Sequence, residues 1–123
     1  MVDISLDIGE HHFNYRVAAV IRKNNQILTH KSLNIKHITL PGGRVQDGED
    51  SIEALQREIQ EEMGLETTYV KPVAIIENFF KMKEKNYHEI LFIHELKFQD
   101  EKSYKRRLLV QDVRNLAGKQ QTT

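Results

Sequence analysis

Apolar residues along the chain follow two periods. Val2, Ile4, Leu6 and Ile8 alternate with polar neighbours, which predicts a half-buried strand over Val2 to Ile8. Val17 to Ile21 is an unbroken apolar run within Phe13 to Ile21, the pattern of a central strand. The polar turn Lys23-Asn24-Asn25-Gln26 separates it from Ile27-Leu28, so the two runs predict a hairpin. His37 to Leu40 reads as a short strand stopped by Pro41-Gly42-Gly43. From Asp50 to Met63 the period changes: Ile52, Leu55, Ile59 and Met63 recur at spacings of three and four and form one stripe of a helix. Asp50 is a good N-cap, Glu53 can complete a capping box, and Gly64 marks the stop. Tyr69 to Phe80 and Tyr87 to Phe98 predict two more strands, joined by a charged loop around Lys81 to Asn86. Ile90-Leu91-Phe92-Ile93 is apolar on both faces, as in a strand covered on both sides. Leu108 to Leu116 reads as a short last helix. With no linker and no internal repeat, the set predicts a single domain over residues 1–123, an α+β fold with a mixed sheet packed by helices.

Composition narrows the function. Of 123 residues 39% are hydrophobic, enough for one core. No apolar run approaches the roughly 20 residues of a membrane span. Met1 to Tyr15 contains Asp3, Asp7 and Glu10 and lacks the basic-then-apolar order of a secretory signal. The absence of cysteine excludes disulfides, thiolate metal sites and a cysteine nucleophile, and it fits a cytoplasmic location. Eighteen basic and 18 acidic residues give zero net charge, which argues against general binding to nucleic acid or an anionic membrane. The zero hides an asymmetry: Asp47 to Glu66 holds eight acidic residues and one basic residue, Arg57.

That asymmetry centres on the helix. Glu61 and Glu62 follow Glu58 by three and four residues, so all three share an arc of roughly 100°. Like charges at those spacings repel by about 0.2–0.5 kcal/mol per pair, and the helix dipole disfavours them in its C-terminal half. Arg57 can pair with Glu53 and Glu61, four residues away on either side, but cannot neutralise all three glutamates. A solvated acidic face is the plain alternative. The preceding loop, Gly42-Gly43-Arg44-Val45-Gln46-Asp47-Gly48, tips the reading, because its glycines let backbone approach a ligand or ion. Clustered hard carboxylate oxygens suit Mg²⁺, Mn²⁺ or Ca²⁺.

The 23-residue segment Gly43 to Leu65, GRVQDGEDSIEALQREIQEEMGL, resembles the Nudix box and has the expected residue at each of its defining positions. Leu40-Pro41-Gly42-Gly43 is similar to the usual entry of that motif, and the likeness extends from about Tyr15 to Phe98. It implies an α/β/α sandwich and hydrolysis of a nucleoside diphosphate linked to another group, with Mg²⁺ or Mn²⁺ as cofactor. By the same likeness Glu58, Glu61, Glu62 and the Gly43 carbonyl would hold the metal, Arg57 would orient the glutamates, and Glu49 would brace the loop or stand in the outer metal shell. Ile59 and Leu65 would pack.

The other candidates come from the chemistry of the reaction. A carboxylate near the attacking water can accept its proton. Glu61 or Glu62 could do so, and outside the box Glu89 is the candidate, on the strand face it shares with Leu91, Ile93 and Glu95. Arg16 is the candidate for a substrate phosphate, with Gly42, Gly43 and His37 as neighbours on the substrate side. His88 and His94, on the face of Ile90 and Phe92, read as core-edge groups rather than metal ligands. A nucleoside triphosphate, ordinary or oxidised, is the first substrate expectation for so short a chain, followed by ADP-ribose or another nucleotide sugar. The alternative is a nucleotide-binding regulator of the same fold without turnover. The short C-terminus after Lys105-Arg106-Arg107 raises the expectation of a homodimer.

Overall fold

The computed structural model describes residues 1–31, 38–105 and 109–112. Its elements are β1 (Ser5–Ile8), β2 (His11–Lys23), β3 (Gln26–Lys31), β4 (Ile38–Thr39), β5 (Gly42–Arg44), α1 (Ser51–Met63), β6 (Thr67–Met82), β7 (Lys85–Phe98), a 3-10 turn (Glu101–Lys105) and β8 (Leu109–Asp112). The strands form one mixed sheet with the spine β4-β3-β2-β7-β6. At its centre β2 and β7 run parallel, from His11 against Asn86 to Ile21 against Leu96. The other edge of β2 is shared by three antiparallel partners in turn: β1 along His11 to Asn14, β5 along Arg16 to Ala18, and β3 at Arg22 and Lys23.

Strand alternation gives each face of this sheet its own task. One face carries Val17, Ala19 and Ile21 from β2 with Leu96 and Phe98 from β7, and Ala54, Leu55 and Ile59 of α1 complete the buried cluster there. This is the apolar stripe expected at Leu55, Ile59 and Met63, with Ala54 added, while Ile52 is half-buried outside the cluster. The helix begins where the sequence says it should. The Asp50 side chain accepts the Glu53 backbone N–H at 2.8 Å, and Gly64 closes the helix at φ 68°, where its N–H reaches the Gln60 carbonyl. The opposite face of β2 and β7 presents Asn14, Arg16 and Ala18 beside Glu89, Leu91 and Ile93.

Several expectations need correction. The Val2 to Ile8 strand forms only over Ser5–Ile8, and Val2, Leu6 and Ile8 are exposed, because β1 is an edge ribbon paired with β2 away from the core. Ile90, Leu91, Phe92 and Ile93 are half-buried rather than enclosed on both sides. The helix expected over Leu108 to Leu116 is not formed where the structure describes it: Leu109–Asp112 is a strand against Gln26–Thr29. The backbone groups of β3 find partners there, which a helix could not supply. The charged loop between the last two long strands shortens to a tight turn, with positive φ at Lys83 and Glu84.

Candidate active site

Arg57 organises the acidic face. Its guanidinium donates to Glu49 Oε2 at 2.6 Å and Oε1 at 3.0 Å, to Glu58 Oε1 at 3.0 Å, to Glu61 Oε1 at 2.9 Å and to the Arg44 carbonyl at 3.0 Å. One planar fork thus ties α1 to the loop before it. The bonds from Glu49 first, opposed by burial, push Arg57 well above the ordinary arginine value, so it is always charged. The same contact holds the Glu49 carboxyl below its usual range. Glu49 Oε1 also accepts the Gln46 N–H at 2.9 Å, so this buried carboxylate braces the loop. The expected Arg57–Glu53 pair is not formed. Glu53 stands instead beside Asp50, whose hydrogen bond raises its carboxyl.

The three glutamates part company. Glu58 lies directly over Gly43: a Cβ built on that glycine would overlap the Glu58 carboxylate, so only glycine leaves room for it. Glu58 and Glu62 line one cleft of about 290 Å³ with Gly42, Gly43, Arg44, Arg16 and Asp3. Glu61 is more than half exposed and held by Arg57, and it does not line that cleft. Gly42 has its own reason to be glycine, since a Cβ there would overlap the Val17 carbonyl on β2.

A second cleft of about 490 Å³ adjoins the first through Arg16, Gly42 and Glu62. Glu89, Leu91, Ala18, Thr39 and Leu40 line it as well. Glu89 is buried in its wall, 8% exposed, with the Arg16 guanidinium 3.7 Å away and the Asn14 amide donating to it at 3.4 Å. The fold therefore brings Arg16, Gly42, Gly43, Glu58, Glu62 and Glu89 together across three strands, β2, β5 and β7, and a helix. Asp3, Asn14 and Arg44 also reach this region, although the sequence did not single them out. Asn14 was legible, because it shares a strand face with Arg16 two residues away. Asp3 was not, since its bridge to Gln46 and its pairing with Arg44, 3.8 Å away, are tertiary contacts. His37 lies outside the described residues.

The donor set suits a divalent ion in kind: carboxylate oxygens beside a cleared glycine. Among the described residues, however, no three carboxylate or imidazole groups converge as a ready-made ion cage. Glu58 and Glu62 are the pair that share the cleft with Gly43. His88 and His94 are packed against other rings. His94 is buried, with Nε2 2.8 Å from Ser51 Oγ, and His88 packs its ring against Phe79 and Phe13.

A family profile described as the NUDIX domain matches residues 12–112. The chain belongs to the Nudix family. It is accordingly an enzyme of the hydrolase class, in a family whose general activity is pyrophosphate hydrolysis of small nucleotides with divalent metal. Its fold is that of a NUDIX hydrolase from Nitrosomonas europaea, with a TM-score of 0.60 at 22% identity over 87% of this chain and 77% of that one. The Nudix-family MutT protein of methicillin-resistant Staphylococcus aureus 252, titled a DNA mismatch repair protein, is 25% identical, with a TM-score of 0.55 over 74% of this chain and 70% of that one. The Escherichia coli ORF135 protein is 26% identical, with a TM-score of 0.52 over 76% and 66%. None of the curated proteins compared matches the chain. No helix among the described residues is long and apolar enough to cross a membrane.

Proposed function

We propose that this Nudix hydrolase cleaves the pyrophosphate linkage of a nucleoside triphosphate, ordinary or oxidised, ahead of ADP-ribose and other nucleotide sugars, as a cytoplasmic enzyme. One observation carries the reading: Glu58 and Glu62 face Gly43 and Arg16 in a cleft continuous with the one that Glu89 lines. Glu58, Glu62 and the Gly43 carbonyl would hold Mg²⁺ or Mn²⁺, with Glu61 as the remaining ligand of the box and Arg57 orienting the set. When bound, the ion offsets the charge of the anhydride oxygens and makes a bound water more acidic. Arg16, on the shared rim, would bind a phosphate oxygen by charge-assisted hydrogen bonds. Glu89, set back in the wall, would take the proton of the attacking water. The larger cleft is within the roughly 300–1,000 Å³ of small-molecule sites.

The test is a substrate panel with Mg²⁺: nucleoside triphosphates, an oxidised one, ADP-ribose and a sugar nucleotide, with phosphate or pyrophosphate release as the readout. Metal-dependent turnover of a triphosphate is expected. Nucleotide binding without release on any member would contradict hydrolysis.

We also infer a homodimer. In the described sheet β6 pairs only with β7, and it exposes Ile75, Phe79 and Met82 along its 16 residues. A long apolar edge of this kind invites pairing with another strand.

A further inference from the structure

One buried polar residue has no part in the reaction so far. Asn14 is 2% exposed in the middle of β2. Its Nδ2 donates to Glu89 Oε1 at 3.4 Å, and its Oδ1 accepts the Ser5 hydroxyl at 2.6 Å. Ser5 Oγ also stands 2.7 Å from His12 Nε2, and His12 Nδ1 stands 2.8 Å from Asp7 Oδ1. A continuous line of side chains thus runs from exposed Asp7 through His12, Ser5 and Asn14 to the carboxylate in the cleft wall.

Counting hydrogens leaves this line two directions, set by the protons on His12. The Ser5 hydroxyl has one proton and two short contacts. If that proton goes to Asn14 Oδ1, His12 must donate from Nε2. It must also donate from Nδ1 to the Asp7 carboxylate, so the ring carries both protons. Asn14 then has its Oδ1 occupied and turns its amide N–H₂ toward Glu89, which favours the charged carboxylate. If His12 loses a proton while Asp7 keeps the Nδ1–H, Nε2 becomes an acceptor and takes the Ser5 proton. Asn14 Oδ1 then loses its donor, and the amide gains by turning its nitrogen to Ser5. That turn would set Oδ1 against the Glu89 carboxylate, acceptor against acceptor. Around His12 the charged and titratable neighbours are Asp7 from β1, Tyr87 from β7, whose ring is 5.7 Å away, and Lys85, which reaches Asp7 at 3.6 Å. Around Glu89 they are Arg16 on β2 and Glu62 on α1 across the cleft, with Asn78 opposite it on β6.

We propose that Ser5 and Asn14 are positioning residues for Glu89, and that the donor pattern of the His12 ring sets which way the Asn14 amide faces. The inference rests on the reading of Glu89 as proton acceptor, and two measurements separate them. In the ¹⁵N-labelled protein, the Asn14 side-chain amide resonances should move with the His12 ring as pH is raised from about 5 to 8.5. That step should vanish in His12→Gln, which keeps an N–H donor but does not titrate, and in Ser5→Ala. In turnover with Mg²⁺ and the best nucleotide of the panel, Ser5→Ala should lower kcat about threefold to tenfold with KM within about twofold, the scale of one hydrogen bond to a charged group. Its acidic limb should shift upward, while His12→Gln should lose the alkaline fall of the wild type. An Asn14 amide that ignores the His12 titration, or wild-type pH profiles in both variants, overturns the positioning role even if Glu89→Gln is inactive. Full activity of Glu89→Gln overturns the proton-acceptor reading, and the positioning role with it.

Discussion

Arg57 makes five hydrogen bonds to four partners, and no other residue type can replace it. Lysine offers a point charge without the planar fork. Arg57→Lys should lower stability by about 1–3 kcal/mol in urea unfolding and cut turnover at least tenfold, because Glu58 loses its orienting partner. Equal stability and activity would show that the fork is dispensable. Two groups here give stability a pH dependence of known sign. Burial keeps the His94 imidazole below its ordinary value of 6.5. The unfolded chain binds that proton more readily, so this contribution is complete above about pH 6.5 and lost as pH falls through the folded value. Glu49, held low by Arg57, acts in the same direction further into acid, below its ordinary 4.5. His94→Phe should flatten the decline between about pH 6.5 and 5 in thermal unfolding, and an unchanged slope would exclude His94 as its source. The spacing of Arg57, Glu58, Glu61 and Glu62 was legible because a helix fixes which residues share an arc. The split of Glu61 from Glu58 and Glu62 was not, because it depends on where β5 lays Gly43 against the helix.

Among the elements, α1 and β2 carry the site, and both were legible. The stripe of Ile52, Leu55, Ile59 and Met63 and the caps Asp50 and Gly64 are local signals that tertiary packing does not override. Leu55 is fully buried against the sheet, so Leu55→Ala should cost about 2–5 kcal/mol in denaturant unfolding. A loss under about 1 kcal/mol would mean that α1 is not packed as described. Gly42→Ala should be worse than its size suggests, because the methyl would enter the Val17 carbonyl and push β5 off β2. Circular dichroism should show a destabilised fold, whereas a wild-type melting curve would contradict the close approach. The ends of the chain were read less well. The alternation of Val2, Ile4, Leu6 and Ile8 gives a strand but not which side meets the core. The apolar run at Leu109 and Val110 fits helix and strand alike, and only the open partner β3 decides it.

At the scale of the molecule, three strands and one helix converge on two adjoining clefts. The family and the sheet were legible because the box is a contiguous segment with fixed spacing. The placement of Glu89 opposite Glu62 was only half legible: its strand face was readable, but the register that pairs it with Asn14 comes from the parallel β2–β7 contact. The proposed dimer belongs to this scale. Sedimentation at micromolar concentration should give twice the monomer mass, and Ile75→Lys on the β6 edge should return it to 14.4 kDa. A monomer throughout would remove the dimer without touching the cleft. The most direct test of the cleft is a crystal grown with Mg²⁺ and a non-hydrolysable nucleoside triphosphate. The ion should lie among Glu58, Glu62 and Gly43, with the phosphates toward Arg16. An ordered nucleotide bound elsewhere, with α1 facing bulk solvent and no ion on its carboxylates, would contradict it.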